Sequence, residues 1–355
     1  MTGNNDTDIL VSIILPIYNA GPYLSKCLDS LLSQTLDRVE IIGILDCPTD
    51  GSDTVLKSYA SKHPKIRVIE NPHNMHIGES RNAGLAVARG RYIGFCDHDD
   101  YCALEMCETM YNKMERDGLD LCLSNYVGVV GDSIRDVYTY DGLDISPEGF
   151  FESSVGCRTD SDFRFILNGV IWNKFFRRDV IEHNGIRFVD TKNMVPEDLT
   201  FLIEYSYYCR KIGVCQDNLY FHVKDSGRNT AATWAYCEPD RTIACLERTC
   251  SFLAGKGRLR VLQDRLDNSV RYRLLQTLHH CIRTISPRKL AAVVSACSKS
   301  PLVLGAFSRG RMVIGAKKKG KAAFMLFRLA VLAAGKLRGT VIKPNTAIET
   351  EERQK

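Results

Sequence analysis

Short apolar segments alternate with helix-like segments along the first hundred residues of this chain. The apolar segments end at Pro16, Leu45, Glu70 and Cys96, and each has the length of one buried strand. Parallel strands joined through helices form right-handed crossovers, so the alternation predicts βαβ units and a parallel sheet. Ligands of such sheets bind beyond the carboxyl ends of the strands.

Acidic residues follow two of these predicted strands. Asp46 follows the second strand, and the cluster Asp97-His98-Asp99-Asp100 follows the fourth. Carboxylates placed this closely repel one another, and a divalent cation or a positive ligand lets them stay ionised together. The cluster therefore indicates a site for a hard cation, with a solvated turn as the alternative.

The composition indicates a soluble chain of enzyme size. Its 355 residues are 45% hydrophobic and 25% charged, enough for one large domain or a domain with an extension. Residues 1–8 form a polar tail without the basic flank and apolar stretch of a secretory signal, so we expect a cytoplasmic protein. The 14 cysteines include no CxxC pair, which predicts reduced, mostly buried thiols.

Charge is distributed unevenly along the chain. Residues 1–267 carry 29 basic and 39 acidic side chains, whereas residues 268–348 carry 16 lysines and arginines and no acidic residue. After about Cys237 the pattern becomes helical throughout, and leucines recur at helical intervals between Arg258 and Ile285. The two parts of the chain are expected to face different partners.

The middle of the chain is less regular. A strand is predicted at Leu119 to Val129, with a hairpin around Gly131-Asp132 and a polar loop up to about Ser161. The pair Glu197-Asp198 is predicted to begin a helix.

An ordered set of motifs resembles one large enzyme family. The motifs run through residues 11 to about 225: Val11-Ser12-Ile13-Ile14-Leu15-Pro16-Ile17-Tyr18-Asn19, Ser30 to Thr35, Thr49-Asp50-Gly51-Ser52, Arg81-Asn82-Ala83-Gly84-Leu85, Gly90 to Ile93 leading into Asp97 to Asp100, Trp172-Asn173-Lys174, and Glu197-Asp198. In this order and spacing the chain resembles the family 2 glycosyltransferases. The resemblance implies an α/β GT-A fold, with a Rossmann-like mixed sheet and here a C-terminal helical extension. It also implies inverting transfer in bacterial cell-surface polysaccharide synthesis.

The resemblance implies a division of the chain. Residues 9–237 would form the catalytic domain, with the nucleotide-sugar-binding half at 9–115 and the acceptor-binding half at 116–237. Residues 238–355 would form the basic helical extension.

Several residues match positions at which the family binds a nucleotide sugar. Asp46 would accept a hydrogen bond from the uracil imide, and Pro16 and Tyr18 would line the base pocket. Leu45, Cys47 and Pro48 depart from the usual Asp-Asp-Gly-Ser pattern. Further members of the donor site would be Arg81, Asp97, Trp172 and Lys174. The alternatives are a turn or helix cap for Asp46, strand-end packing for Pro16 and Tyr18, a surface ion pair for Arg81 and core packing for Trp172.

The same resemblance implies a Mg²⁺ or Mn²⁺ ion. Asp99 would be the first ligand, and Asp97 would contact the ribose or a metal-bound water. His222 would contact the metal or the diphosphate, although a lone histidine is usually structural.

The transfer step requires a base. Asp198 matches the family's base, and Glu197 would orient the acceptor or Asp198 itself. Two acids in a first helical turn could instead complement the helix dipole. One base opposite a metal-held leaving group implies a single in-line displacement with inversion.

The expected partners follow from the resemblance and the charges. They are a UDP-sugar donor, and a glycan, polyanionic polymer or lipid-linked acceptor. The basic extension could lie on an anionic membrane, at the inner face of the plasma membrane, form a homo-oligomer contact, or be a solvated tail. It lacks the interleaved aromatics of a nucleic-acid-binding segment. Competing functions are a non-catalytic scaffold with this fold and a nucleotidyltransferase, against which the lack of a glycine-rich N-terminal phosphate loop counts.

Overall fold

The computed structural model describes residues 9–157, 169–224, 239–284, 287–309 and 318–338. These residues divide into two compact units. The first contains residues 9–154, 169–193 and 197–224, and the second contains the remaining described residues. The predicted tail at residues 1–8 and the predicted boundary at residue 238 lie outside the described residues.

The first unit is built on a mixed sheet. Its described strands are β1 (Val11–Ile17), β2 (Val39–Leu45), β3 (Ile66–Glu70), β4 (Tyr92–Phe95), β5 (Tyr101–Cys102), β6 (Leu121–Val130), β7 (Ser133–Tyr138), β8 (Lys174–Arg177) and β9 (Ile212–Val223). The spatial order is β3-β2-β1-β4-β8-β6-β9-β5, and β7 pairs with β6.

Helices connect these strands. They are α1 (Tyr23–Leu32), α2 (Ser52–Lys62), α3 (His76–Val87), α4 (Met106–Asp117), α5 (Pro147–Val155), α6 (Arg178–His183) and α7 (Glu197–Tyr208). Helix α1 shows why such segments fold: Leu24, Cys27, Leu28 and Leu31 share one buried face, as their spacing predicts.

The first four strands run parallel, as the alternating pattern predicts. Val11 pairs with Val39 of β2, and Ile14 pairs with Phe95 of β4. Strand β8 then joins β4 in the antiparallel sense, which makes the sheet mixed. Asp46 and Asp97 both follow carboxyl ends of parallel strands and so lie at the same edge of the sheet.

Two local predictions are wrong. Strand β1 does not end at Pro16, because Pro16 pairs in register with Ile44 and the strand continues to Ile17. The polar segment before Ser161 contains helix α5, whose Phe150 and Phe151 are buried. The serines and the glycine make this segment polar on average, so its polarity predicted a loop although two adjacent aromatic residues anchor a helix.

Helix α3 packs closely on the sheet at Gly84. A Cβ atom at this position would lie 2.6 Å from Cγ2 of Ile14 and 3.1 Å from Cδ1 of Ile44. Asn82 adds two hydrogen bonds to the backbone of Phe188, at 2.9 and 3.0 Å. These contacts fix the helix that carries Arg81.

The second unit is helical. Its described helices are α8 (Pro239–Gly255), α9 (Leu259–Thr284), α10 (Pro287–Lys299), α11 (Pro301–Arg309) and α12 (Lys318–Leu337). Val270, Val303 and Phe307 belong to its core, and the buried carboxylate of Asp267 accepts two hydrogen bonds from Arg309 at 2.8 and 2.9 Å. None of the described helices is by itself long and apolar enough to cross a bilayer. One pair of consecutive helices, bent by 92° between residues 299 and 301, has the combined length and apolar composition of a membrane span, but only these two properties support such a span.

Candidate active site

One buried guanidinium gathers three carboxylates at the edge of the sheet. Nη1 of Arg81 lies 2.7 Å from Oε1 of Glu197 and 2.5 Å from Oδ1 of Asp198. Nη2 of Arg81 lies 3.2 Å from Oδ1 of Asp97. We call Arg81, Asp97, Glu197 and Asp198 the carboxylate cluster. It brings residues from both predicted halves of the catalytic domain to one point.

The arginine in this cluster is neither a surface residue nor half of a simple ion pair. Its residue is 1% exposed, and its guanidinium lies 5.3 Å from the centre of the Phe188 ring. Its Nε is buried without a hydrogen-bond partner among the described residues. The surface ion pair that the sequence left open for Arg81 is therefore excluded. Direct binding of the donor by Arg81 stays a prediction.

Charge in the cluster is unbalanced, because three carboxylates share one guanidinium. Burial raises the pKa of Asp198 well above its usual value; Arg81 opposes this, while Glu197 and Asp97 add to it. Burial alone would lower the pKa of Arg81, but the three carboxylates raise it overall and keep the side chain charged. Asp198 keeps an exposed side-chain fraction of 20%, so a substrate can reach it. A reachable carboxylate with a raised pKa is suited to accept a proton.

Asp46 is held in a defined orientation at the end of β2. Its residue is 3% exposed, and its Oδ1 accepts hydrogen bonds from Nδ2 of Asn71 at 2.8 Å and from the backbone N–H of Met75 at 2.7 Å. Its Oδ2 has no hydrogen bond to a described residue, so one oxygen remains available to a donor group such as an imide N–H. Cys47, next in the chain, has a φ of 55° and is exposed.

The other predicted base-pocket residues lie at the end of β1. The carbonyl oxygen of Pro16 is 3.1 Å from Nδ1 of His98, and Tyr18 is 44% exposed. Asp50 accepts hydrogen bonds from the backbone N–H groups of Gly21 and Ser52 in the turn before α2.

The carboxylate of Asp99 is available to bind a ligand, as a metal-binding residue requires. Its carboxylate makes no hydrogen bond or ion pair with another residue that the structure describes, and it is partly exposed. No three histidine, cysteine or acidic side chains among the described residues form a ready metal cage. Magnesium and manganese bound with substrate phosphates commonly take only one or two protein carboxylates. The donor set at Asp99 and Asp97 therefore fits such an ion.

Asp100 is a further residue of the candidate site, and the sequence analysis assigned it no role of its own. Its side chain is fully buried, and it accepts hydrogen bonds from Tyr220 Oη at 2.8 Å and from the backbone N–H of Val223 at 2.7 Å. Nδ1 of His222 lies 3.2 Å from the same carboxylate. Burial raises the pKa of Asp100 to about 7, against the opposing effect of His222. With Nδ1 on Asp100, His222 can present Nε2 to a ligand.

A signal for Asp100 was present in the sequence. It is the last acid of a cluster that follows a buried strand, and β9 supplies the tyrosine and histidine at a spacing of two, which places both on one face of the strand. The pairing of β9 with β5, which brings the two together, has no local sequence signature.

Trp172 and Lys174 are buried beside this site. The indole is 6% exposed and stacks on the rings of Tyr220 at 4.4 Å and His222 at 5.4 Å between centroids. In this structure Trp172 packs in the core, which was the alternative to donor binding in the sequence analysis. Lys174 is 0% exposed, burial lowers its pKa, and its amine donates to the carbonyl of Val170 and the side chain of Asn173 at 2.6 and 2.9 Å. Donor binding by Lys174 stays a prediction.

Comparisons with known proteins identify the family of this chain. The family model "Glycosyl transferase family 2" matches residues 12–184. Glycosyltransferase EpsJ of Bacillus subtilis is 31% identical over 60% of this chain, and a Haemophilus influenzae glycosyltransferase is 30% identical over 61%. The poly(ribitol-phosphate) beta-glucosyltransferase of Bacillus spizizenii is 29% identical over 67% of this chain. The matches span 60%, 78% and 36% of these relatives' own lengths.

Solved structures share the fold. Staphylococcus aureus TarS 1–349 matches with a TM-score of 0.53 at 20% identity, covering 94% of this chain and 93% of that one; TarS is also solved with UDP and with UDP-GlcNAc. A Pyrobaculum calidifontis mannosyltransferase in complex with GDP-Man and Mn²⁺ matches with a TM-score of 0.51 at 14% identity, covering 92% and 87%. The mixed sheet and its helices thus have the GT-A-like architecture, and the chain belongs to glycosyl transferase family 2.

Proposed function

We propose that this chain is an inverting glycosyltransferase that moves a sugar from a nucleotide-diphosphate sugar to an acceptor hydroxyl. The carboxylate cluster is the observation that carries the proposal. In this cluster Asp198, a reachable carboxylate with a raised pKa, and Asp97 contact the same guanidinium, at the edge of the sheet where its parallel strands end.

Uridine is the proposed base of the donor. The free Oδ2 of Asp46 can accept the imide N–H of uracil, while Asn71 and Met75 hold the other oxygen. The UDP and UDP-GlcNAc complexes of TarS support the same choice. Tyr18 lies exposed near this position and would cover the base.

A Mg²⁺ or Mn²⁺ ion is the proposed cofactor. Asp99, with Asp97 and His222, would hold it, and the ion would neutralise charge on the departing nucleotide diphosphate. The Mn²⁺ complex of the Pyrobaculum mannosyltransferase supports this assignment. Asp100 would fix His222 through Nδ1, so that Nε2 is directed to the ion or the diphosphate.

Asp198 acts as the base in the proposed reaction. Oδ1 of Asp198 is held by Arg81, and the carboxylate takes the proton of the acceptor hydroxyl as its oxygen attacks the anomeric carbon. The new C–O bond forms while the bond to the diphosphate breaks, and the nucleotide diphosphate leaves with the bonding electron pair. Attack opposite the leaving group inverts the anomeric configuration. Glu197 shares Nη1 of Arg81 and orients Asp198.

The proposed acceptor is a cell-surface polysaccharide, a polyanionic polymer or a lipid-linked glycan, reached from the cytoplasmic side. The similarity to a poly(ribitol-phosphate) beta-glucosyltransferase supports the polymer class. The acid-free stretch at residues 268–348 supplies charges that suit a phosphate-bearing acceptor.

The competing function is a non-catalytic scaffold with the same fold. A scaffold has no need for a charged cluster that keeps Asp198 reachable, so the geometry favours the enzyme. To test the proposal, a panel of nucleotide-diphosphate sugars is offered to the full chain with and without Mn²⁺. We expect metal-dependent stabilisation by a UDP-sugar and release of UDP when acceptor is added. If no nucleotide sugar binds or turns over, the enzyme proposal fails and the scaffold replaces it.

A further inference from the structure

Helix α12 has apolar residues on two faces. Phe327 and Val331 are 5% and 0% exposed, and the Phe327 ring packs edge-on against Phe307 with centroids 6.1 Å apart. Gly335 continues this buried face, where a Cβ atom would lie 2.7 Å from Leu304. One face of the helix therefore completes the core of the second unit.

The other face is exposed. Leu326, Leu329 and Leu337 are 70%, 58% and 89% exposed, and Ala330 and Ala333 lie between them. Steps of three and four residues place these positions on one side of a helix. From Leu326 to Leu337 the stripe is about 16 Å long at the rise of an α-helix. We call this set the exposed stripe.

Cations accompany the exposed stripe. Lys336 and Arg338 lie exposed at its C-terminal end, and lysines 318, 319 and 321 begin the helix. No acidic residue occurs in the sequence from residue 268 to residue 348. An apolar helical face flanked only by lysine and arginine is the pattern of a helix that lies in the headgroup region of an anionic membrane.

We propose that the exposed stripe of α12 docks on the surface of an anionic lipid membrane. The leucines would enter the boundary between headgroups and acyl chains, and the flanking cations would pair with lipid phosphates. A second copy of the chain is a poorer occupant, since two stripes that each end in Lys336 and Arg338 would face each other with like charges. The proposal does not depend on sugar transfer, because membrane binding needs neither donor nor acceptor.

Vesicle flotation of the full chain tests the proposal. The probes are vesicles of phosphatidylcholine alone and of phosphatidylcholine with phosphatidylglycerol. The variant is Leu326→Gln with Leu329→Gln, and the matched control is Val261→Gln, since Val261 on α9 is 70% exposed, as Leu326 is. Because these side chains are at the surface, we expect all variants to fold. Circular dichroism and thermal unfolding check this.

We expect the wild type and Val261→Gln to float with the anionic vesicles only, and to be released by high salt. The double variant should lose binding by roughly tenfold or more, because two apolar anchors are removed. Equal binding to the neutral vesicles, no binding at all, or unchanged binding of the double variant would each overturn the proposal. Light scattering of the same samples measures the oligomeric state. A dimeric wild type together with a monomeric double variant would also overturn the proposal, because the stripe would then mediate self-association.

Discussion

Arg81 decides what the carboxylate cluster can do. The motif Arg81-Asn82-Ala83-Gly84-Leu85 indicated a donor-site arginine, but no local pattern indicated that three carboxylates would share it. Those contacts span 16, 116 and 117 positions in sequence. Individual acids could be assigned from the sequence, whereas their common cation depends on how α3 and α7 meet at the edge of the sheet.

Replacing Arg81 separates its charge from its geometry. Arg81→Met leaves Asp97, Glu197 and Asp198 without their shared cation, and should lower the free energy of unfolding by about 3–5 kcal/mol. Arg81→Lys keeps a charge and should lose less. Denaturant titration measures both. The control Arg91→Met removes an arginine that is 53% exposed and paired with Glu115, and should cost under about 1 kcal/mol. Equal losses for Arg81→Met and Arg91→Met would contradict the buried cluster.

The raised pKa of Asp198 predicts how activity depends on pH. Since the base must be ionised, turnover should rise with pH along a limb that lies above the range of an ordinary aspartate. The folded protein holds this proton more tightly than the unfolded chain does. The contribution of Asp198 to stability is therefore present at low pH and lost as pH rises through its folded-state pKa. The free energy of unfolding should fall as pH rises from acidic to neutral, and the fall should be smaller in Asp198→Asn than in the wild type. The same slope in both proteins would refute this.

At the scale of elements, strand and helix patterns located most of the first unit. The parallel strands β1 to β4 are confirmed, as are the hairpin of β6 with β7 and the helix that starts at Glu197. The antiparallel insertion of β8 between β4 and β6 could not be read locally, because strand order depends on long-range pairing.

The close packing of α3 on the sheet is testable at Gly84. Gly84→Ala places a Cβ atom 2.6 Å from a branched methyl of Ile14, so the helix must shift. We expect a loss of about 1–3 kcal/mol of stability, together with weaker turnover because α3 carries Arg81. Gly255→Ala is the control, since no atom other than those of its chain neighbours and its own helix backbone lies within 4 Å of its added Cβ. Thermal unfolding compares the two, and a neutral Gly84→Ala would mean that the helix is not held there.

At the scale of the whole molecule, the chain combines a sheet-based unit that carries the carboxylate cluster with a helical unit that carries the exposed stripe. The charge change at residue 267 predicted two parts with different partners, and its basic part includes α10, α11 and α12. In the sequence of α12, apolar residues are not confined to one helical face. The structure explains this pattern, since Phe327 faces the core while Leu326 is exposed.

The proposed metal requirement is also tested on the whole molecule, because it is measured as the activity of the complete reaction. Chelation should abolish transfer, and Mn²⁺ or Mg²⁺ should restore it. Asp99→Asn should require more metal for half-maximal activity, whereas Asp132→Asn, at an exposed position of the hairpin, should behave as the wild type. Activity that survives chelation, or an unchanged metal requirement in Asp99→Asn, would remove Asp99 from the metal site.

The central claim is that Asp198 is the base of sugar transfer. Its most direct test compares the transfer rate and the donor dissociation constant of Asp198→Asn with those of the wild type. We predict a fall in turnover of roughly 10²–10⁴-fold with donor binding changed by no more than a few-fold. Turnover near that of the wild type would contradict the assignment of Asp198 as base, as would a loss of donor binding large enough to account for the lost activity.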